Sequence, residues 1–178
     1  MLLARYARLC QEIGLVPIVE PEVIYEGTHD LARAEEVTTL TLRTLFTVLT
    51  QYRVYLKATH LKTSMVLSGS KNAKPSTPEE VAEATLQTLD NAVPNSVAGI
   101  VFLSGGQTPE QVTANFNAIG KLEKESGGLP WALAFSFSRG IEQPVQEVWK
   151  GKSENVSAAQ QKLIEVLERN CKADAGQL

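Results

Sequence analysis

The sequence predicts an α/β protein built on a parallel sheet, and three observations carry that expectation. Apolar runs of strand length recur about every 35–45 residues, at 15–19, 54–66, 96–103 and 131–137. Each is followed by a segment with helical spacing, so the chain reads strand, helix, four times over, as repeated units of one parallel sheet do. Each run also ends in polar residues: Glu20-Pro21-Glu22, Lys62, Ser104-Gly105-Gly106-Gln107 and Ser138-Arg139. Polar residues gathered past the C-terminal ends of the strands are the layout of a (β/α) barrel, which carries its active site there.

The elements follow in order. Residues 1–10 are amphipathic with no capping residue ahead of them, so a helix begins abruptly and the expectation is a chain that has lost something upstream. Gly14 stops this helix, and 15–19 is the first buried strand, delivering two carboxylates at its end. Asp30 caps a helix from 31 to about 51, with Leu31, Ala34, Val37, Leu40, Leu45, Val48 and Leu49 on its apolar face. The second strand is read over 54–66, where Val54, Leu56 and Ala58 alternate with Tyr55, Lys57 and Thr59. Residues 67–76, small, polar and basic, read as a long loop. Thr77-Pro78-Glu79-Glu80 then starts a helix to about residue 92, with a cap, a proline in the first turn and acids at the positive end. Pro94 breaks it ahead of the third strand, and Thr108-Pro109-Glu110-Gln111 repeats the same start for a helix to about 119. Gly127-Gly128-Leu129-Pro130 resets the chain for the fourth strand. Two helical segments, about 141–149 and 153–171, close the sequence, and 173–178 is expected to fray.

Composition narrows the function classes. A chain of 178 residues can bury a core, and the length predicts one domain over 1–178 with no internal linker. A hydrophobic content of 43% with 21% charged residues is that of an ordinary globular protein. The formal net charge of -3 gives no basic footprint for nucleic acid, so an anionic small molecule must be bound by a local site. Cys10 and Cys171 lie near opposite ends, which argues against a disulfide scaffold and fits a reducing cytoplasm. No apolar run approaches the roughly 20 residues that cross a bilayer, and the N-terminus lacks the basic start and long apolar centre of a signal peptide. His29 and His60 are read as loop and strand residues, and two distant histidines make no zinc site.

Lys62 asks for a reason at the end of a buried strand. Burial disfavours a charged amine, and a neutral amine is the nucleophile that forms a Schiff base with a carbonyl. Bringing a lysine from its usual value near 10.4 down to about 7–8 costs on the order of 3–4 kcal/mol, which desolvation and a neighbouring cation can supply. The alternative is a lysine snorkelling to solvent. Glu20 and Glu22 read either as an acid/base pair whose environments separate their pKa values or as surface acids bracketing a turn at Pro21. Ser104-Gly105-Gly106 is a glycine turn exposing N–H groups to a phosphate, or a plain strand-to-helix turn. Arg139 supplies a guanidinium at a helix start, where a cation is slightly unfavourable.

Taken together, Val-Pro-Ile-Val-Glu-Pro-Glu at 16–22, Leu-Lys at 61–62 followed by Met65-Val66, Phe-Leu-Ser-Gly-Gly-Gln at 102–107 and Trp-Ala-Leu-Ala-Phe-Ser-Phe-Ser-Arg at 131–139 resemble the class I fructose-bisphosphate aldolases. The likeness continues through Asn155 and Ala158-Ala159-Gln160. The resemblance implies a barrel of TIM type, here roughly its second half with four β/α units. It implies Lys62 as the Schiff-base lysine, Glu20 as the general acid/base and Glu22 as the second carboxylate. Ser104, Gly105, Gly106, Ser136 and Arg139 would hold the substrate and one phosphate. The implied reaction is the glycolytic, reversible cleavage of fructose 1,6-bisphosphate to dihydroxyacetone phosphate and glyceraldehyde 3-phosphate in the cytoplasm, with no metal and no cofactor beyond the lysine.

Departures from the family pattern shape the alternatives. The family's Lys-Pro-Asn-Met-Val stands here as Lys62-Thr63-Ser64-Met65-Val66, the glycine before the phosphate-binding arginine is Ser138, and the tail ends Gly176-Gln177-Leu178 without the family's terminal tyrosine. Four strands also leave two open edges, to be covered by a missing N-terminal half, by another copy in a homo-oligomer, or not at all. The alternative functions are a half-barrel that binds sugar phosphate without turnover and a Schiff-base aldolase for another sugar phosphate.

Overall fold

The computed structural model describes residues 1–178. Four strands form one sheet in sequence order, β1 (Ile18–Val19), β2 (His60–Thr63), β3 (Gly99–Phe102) and β4 (Leu133–Phe135), and every neighbouring pair is parallel. Parallel neighbours need a crossover, supplied by α2 (Leu31–Gln51), α3 (Pro78–Ala92) and α4 (Pro109–Glu125). Helix α1 (Leu2–Glu12) precedes the sheet, and α5 (Arg139–Trp149) and α6 (Val156–Asp174) follow it. No helix is long and apolar enough to cross a membrane.

Side chains set where the helices begin. Asp30 accepts from the N–H of Arg33, and Thr108 from that of Gln111. Thr77 accepts from Glu80 N–H while the Glu80 carboxylate accepts from Thr77 N–H, a reciprocal cap. Helix α1 starts at Met1 without a side-chain cap, and Gly14 leaves it at φ 79°.

The sheet is covered on one face only. Along β2, Leu61 and Thr63 are buried while His60 and Lys62 are part-exposed. Leu61 stands abreast of Val19 and of Ile100, and Ile100 abreast of Leu133; all four face the helices and are buried. Each such aliphatic side chain contributes about 1.5–3 kcal/mol by leaving water. The adjacent row, Lys62, Val101 and Ala134, lies on the other face and is part-exposed, and Ile18 beside it is 49% exposed. Burial thus alternates with the strand period, although parallel strands usually bury both faces.

The structure corrects the second strand. Residues 54–59 are not extended: Leu56–Ala58 is a 3-10 turn, and pairing begins at His60. The cause lies on α1. The Gln11 carboxamide donates to the carbonyls of Tyr55 and Ala58, and its oxygen accepts from Tyr55 N–H, so this backbone is satisfied without a strand partner. The other strands are also shorter than their apolar runs, because β1 offers β2 only two paired residues and β4 offers β3 three.

The chain end is corrected as well, since 173–178 does not fray. Leu178 N–H donates to Asn117 Oδ1 at 3.0 Å, and Asn117 Nδ2 returns a bond to the Leu178 oxygen at 3.1 Å. Lys121 reaches the same oxygen and Lys124 the Ala175 carbonyl. The approach depends on two glycines, one of them within α4, which runs through Gly120 to Glu125 and does not stop near 119. A Cβ on Gly120 would lie 2.5 Å from the Asp174 carbonyl oxygen, and one on Gly176 2.7 Å from the Lys121 nitrogen. We expect Gly120→Ala to destabilise the fold by roughly 1–3 kcal/mol in urea titration, and an unchanged midpoint would contradict this packing.

Burial raises the carboxyl pKa values of both Glu123 and Asp174, and the Asp174 charge raises Glu123 further against the opposing pull of Lys124. A carboxyl raised in the folded state costs stability at neutral pH, and the cost fades as pH falls through the raised value toward the unfolded one. Asp174→Asn is therefore expected to raise Tm at neutral pH, with the gain gone by about pH 4. A Tm at neutral pH equal to or below that of the parent chain would contradict it.

Candidate functional site

The site begins with the register of β1 on β2. Val19 lies abreast of Leu61, so one residue further the chain leaves β1 with Glu20 beside Lys62, on the open face, at the strand spacing of about 4.8 Å. The side chains meet: Lys62 Nζ is 3.2 Å from Glu20 Oε1. The lysine side chain is 20% exposed and the carboxylate 44%, so the lysine is less sealed than its sequence context predicts. Its row neighbours, Val101 and Ala134, are apolar and offer it no second charge. An ion pair this open adds about 0–1 kcal/mol to stability, so its consequence is geometric: an amine and a carboxylate within proton-transfer reach on a face that solutes can approach.

Glu22 points to a different place. Together with Tyr25, Ser70, Gly105, Gly106 and Arg139 it lines a cavity of about 380 Å³. Gly105 and Gly106 have φ of 59° and 87°, backbone that other residues adopt only with strain, and their turn joins β3 to α4. A Cβ on Gly106 would sit 3.9 Å from the Arg139 guanidinium, so turn and guanidinium face each other across a short gap. Arg139 is the first residue of α5 and forms no ion pair. A glycine turn opposite a free guanidinium can hold an oxyanion.

The remaining sequence-predicted residues divide. Ser104 is buried directly before the turn, and its carbonyl accepts from the Gln107 N–H and carboxamide. Ser136 is exposed just past β4, two residues beyond Ala134, with its N–H bonded to the Phe102 carbonyl at 2.8 Å. Neither lines the Glu22 cavity. Sequence reasoning quoted Gln107 only as part of a motif, yet it braces the turn. It is 5% exposed, accepts from Asn115 Nδ2 at 2.7 Å, and reaches the Met65 sulfur just past the lysine strand at 3.9 Å. Tyr25 and Ser70 were also missed; both sit on loops, where no periodicity marks them. Beside Lys62, Thr63 faces the helices and Ser64 Oγ is buried without a hydrogen-bond partner.

Residues 1–178 match the family model described as fructose-bisphosphate aldolase class-I. The fructose-bisphosphate aldolase of Schistosoma mansoni is 48% identical over 98% of this chain and 47% of its own length. The probable class 1 enzyme of Xanthomonas axonopodis pv. citri is 49% identical over 98% of this chain and 51% of its own, and the cytoplasmic isozyme of Spinacia oleracea 45% over 98% and 48%. The chain therefore spans about half the length of the curated relatives it matches. Among solved structures, fructose-bisphosphate aldolase from Plasmodium falciparum, in a ternary complex with TRAP and a small-molecule inhibitor, superposes with a TM-score of 0.94 at 40% identity, over 98% of this chain and 49% of that one. Four parallel strands with their crossover helices are thus part of a (β/α) barrel, and the chain belongs to the class I fructose-bisphosphate aldolase family.

Proposed function

We propose that residues 1–178 act as one unit, the C-terminal half of an aldolase barrel, in the reversible cleavage of fructose 1,6-bisphosphate to dihydroxyacetone phosphate and glyceraldehyde 3-phosphate. The observation that carries the reading is the pairing of Lys62 with Glu20 at 3.2 Å on an open sheet face. In this mechanism Lys62 attacks the ketone of the sugar and loses water to give a Schiff base. The protonated imine is an electron sink that accepts the pair released when the carbon–carbon bond breaks. Glu20 carries the protons, and no metal or added cofactor is needed. Glu22 stands beside the phosphate site as the second carboxylate of the acid/base pair, while Gly105, Gly106 and Arg139 bind and orient one phosphate end, with Ser104 shaping the turn and Ser136 presenting its hydroxyl on the same open face. We place this activity in the cytoplasm, in glycolysis.

The open face and the edges at β1 and β4 need covering for full activity. Helix α1 packs on β1 and α2, and α6 packs on β4 and α4, so each edge already carries a helix on its outer side. Closing the barrel with a second copy would crowd two such helices onto each seam. This favours a complementary N-terminal half over a homo-oligomer.

The test is intact mass after incubation with dihydroxyacetone phosphate and borohydride. The expected result is one covalent adduct that Lys62→Met abolishes and that Glu20→Gln slows by about 10²-fold. The absence of an adduct from a folded chain overturns Schiff-base formation by this half on its own and leaves the family assignment standing. Stabilisation by the sugar phosphate without an adduct would instead establish a binding-only half-barrel.

A further inference from the structure

A second cavity, of about 550 Å³, lies between the start of α4, α5 and α6, and none of Lys62, Glu20 or Glu22 lines it. Three cations do, Arg139, Lys162 and Arg169, and the lining also includes Glu110 and Glu147. Lys162 is paired with Glu165 at 3.4 Å, and Glu147 accepts from Gln143 at 3.0 Å. Arg139 and Arg169 form no ion pair, which leaves two unneutralised guanidiniums at one cavity. Part of the wall is fixed and polar: Thr113 Oγ1 donates to Asn170 Oδ1 at 3.0 Å, and both residues are buried.

The chemistry of the lining selects a ligand class. The volume falls within the roughly 300–1,000 Å³ of small-molecule sites. Only two lining residues are hydrophobic and none is aromatic, so the cavity offers nothing to stack a nucleobase or bury an apolar ring. A guanidinium matches an oxyanion bidentately, and two of them match two oxyanion groups on one molecule. The two carboxylates in the lining accept hydrogen bonds from hydroxyls and repel further negative charge. We infer that this cavity is a binding site for a small, hydroxyl-bearing polyanion held by Arg139 and Arg169, an inference that rests on the proposed function because the cavity shares Arg139 and Gly106 with the phosphate end of that site.

Inorganic pyrophosphate, which carries two linked oxyanion groups, is the probe, and calorimetric titration of the whole chain is the measurement. Saturable binding at one site per chain is expected, weakened about tenfold by Arg169→Gln and strengthened by Glu110→Gln, with orthophosphate binding more weakly than pyrophosphate. Arg169 is exposed and unpaired, so its replacement leaves the fold intact, and unchanged Tm verifies this. No saturable heat, or binding indifferent to Arg169→Gln, overturns the inference. The second outcome would place the anion at the glycine turn, where Arg139 also reaches.

Discussion

The pairing of β1 with β2 is the constraint on which the rest depends. Only two residues of β1 are paired, Ile18 with His60 and Val19 with Leu61, yet they decide which side chains leave the sheet together. Shifting the register by one residue would turn Lys62 toward the helices and bury an amine among Leu, Ile and Phe side chains, at a cost of several kcal/mol. Val19 and Leu61, both fully buried, hold the register against that slip. Glu20 and Lys62 are therefore neighbours because the apolar residues before them have nowhere else to go.

That arrangement also explains why the chain presents a half-finished surface. The helix-facing side of the sheet is complete, with Phe102, Phe116 and Phe137 in edge-to-face contact beneath it. The opposite side carries the reactive groups and stays open. In the proposed barrel this side becomes the lined interior, where water is excluded and electrostatic interactions strengthen. The tail of α6 is not part of that incompleteness, because Asn117, Gly120 and Gly176 seat it on α4.

Much of this was legible in the sequence, for physical reasons. The strand–helix alternation, the capping residues Asp30, Thr77 and Thr108, and the polar residues at strand ends all follow from local chemistry, and the structure has them. Residues 54–59 misled because their alternation is real while their backbone is claimed by Gln11, 44 to 47 residues earlier. The docked tail was illegible for the same kind of reason, since Gly120 looks like a helix stop until the chain that crosses it is known. At the site, Lys62 and Glu20 stood out as candidates by type and position, each with a bland alternative that only the family resemblance outweighed. Gln107, Tyr25 and Ser70 did not, because their partners are distant in sequence. The split between Glu20 and Glu22 depends on where β1 ends, which no periodicity fixes.

The central claim is that one layer of helices is enough to hold β2 and β3 in register and so to present Lys62 beside Glu20. Amide hydrogen exchange on the isolated chain tests it most directly. The account predicts that amides within Leu61–Thr63 and Ile100–Phe102, in strands flanked on both sides, exchange only through global unfolding. Rapid exchange of these amides in a chain whose helices remain protected would contradict it, and would mean that the sheet forms only when its open face is covered.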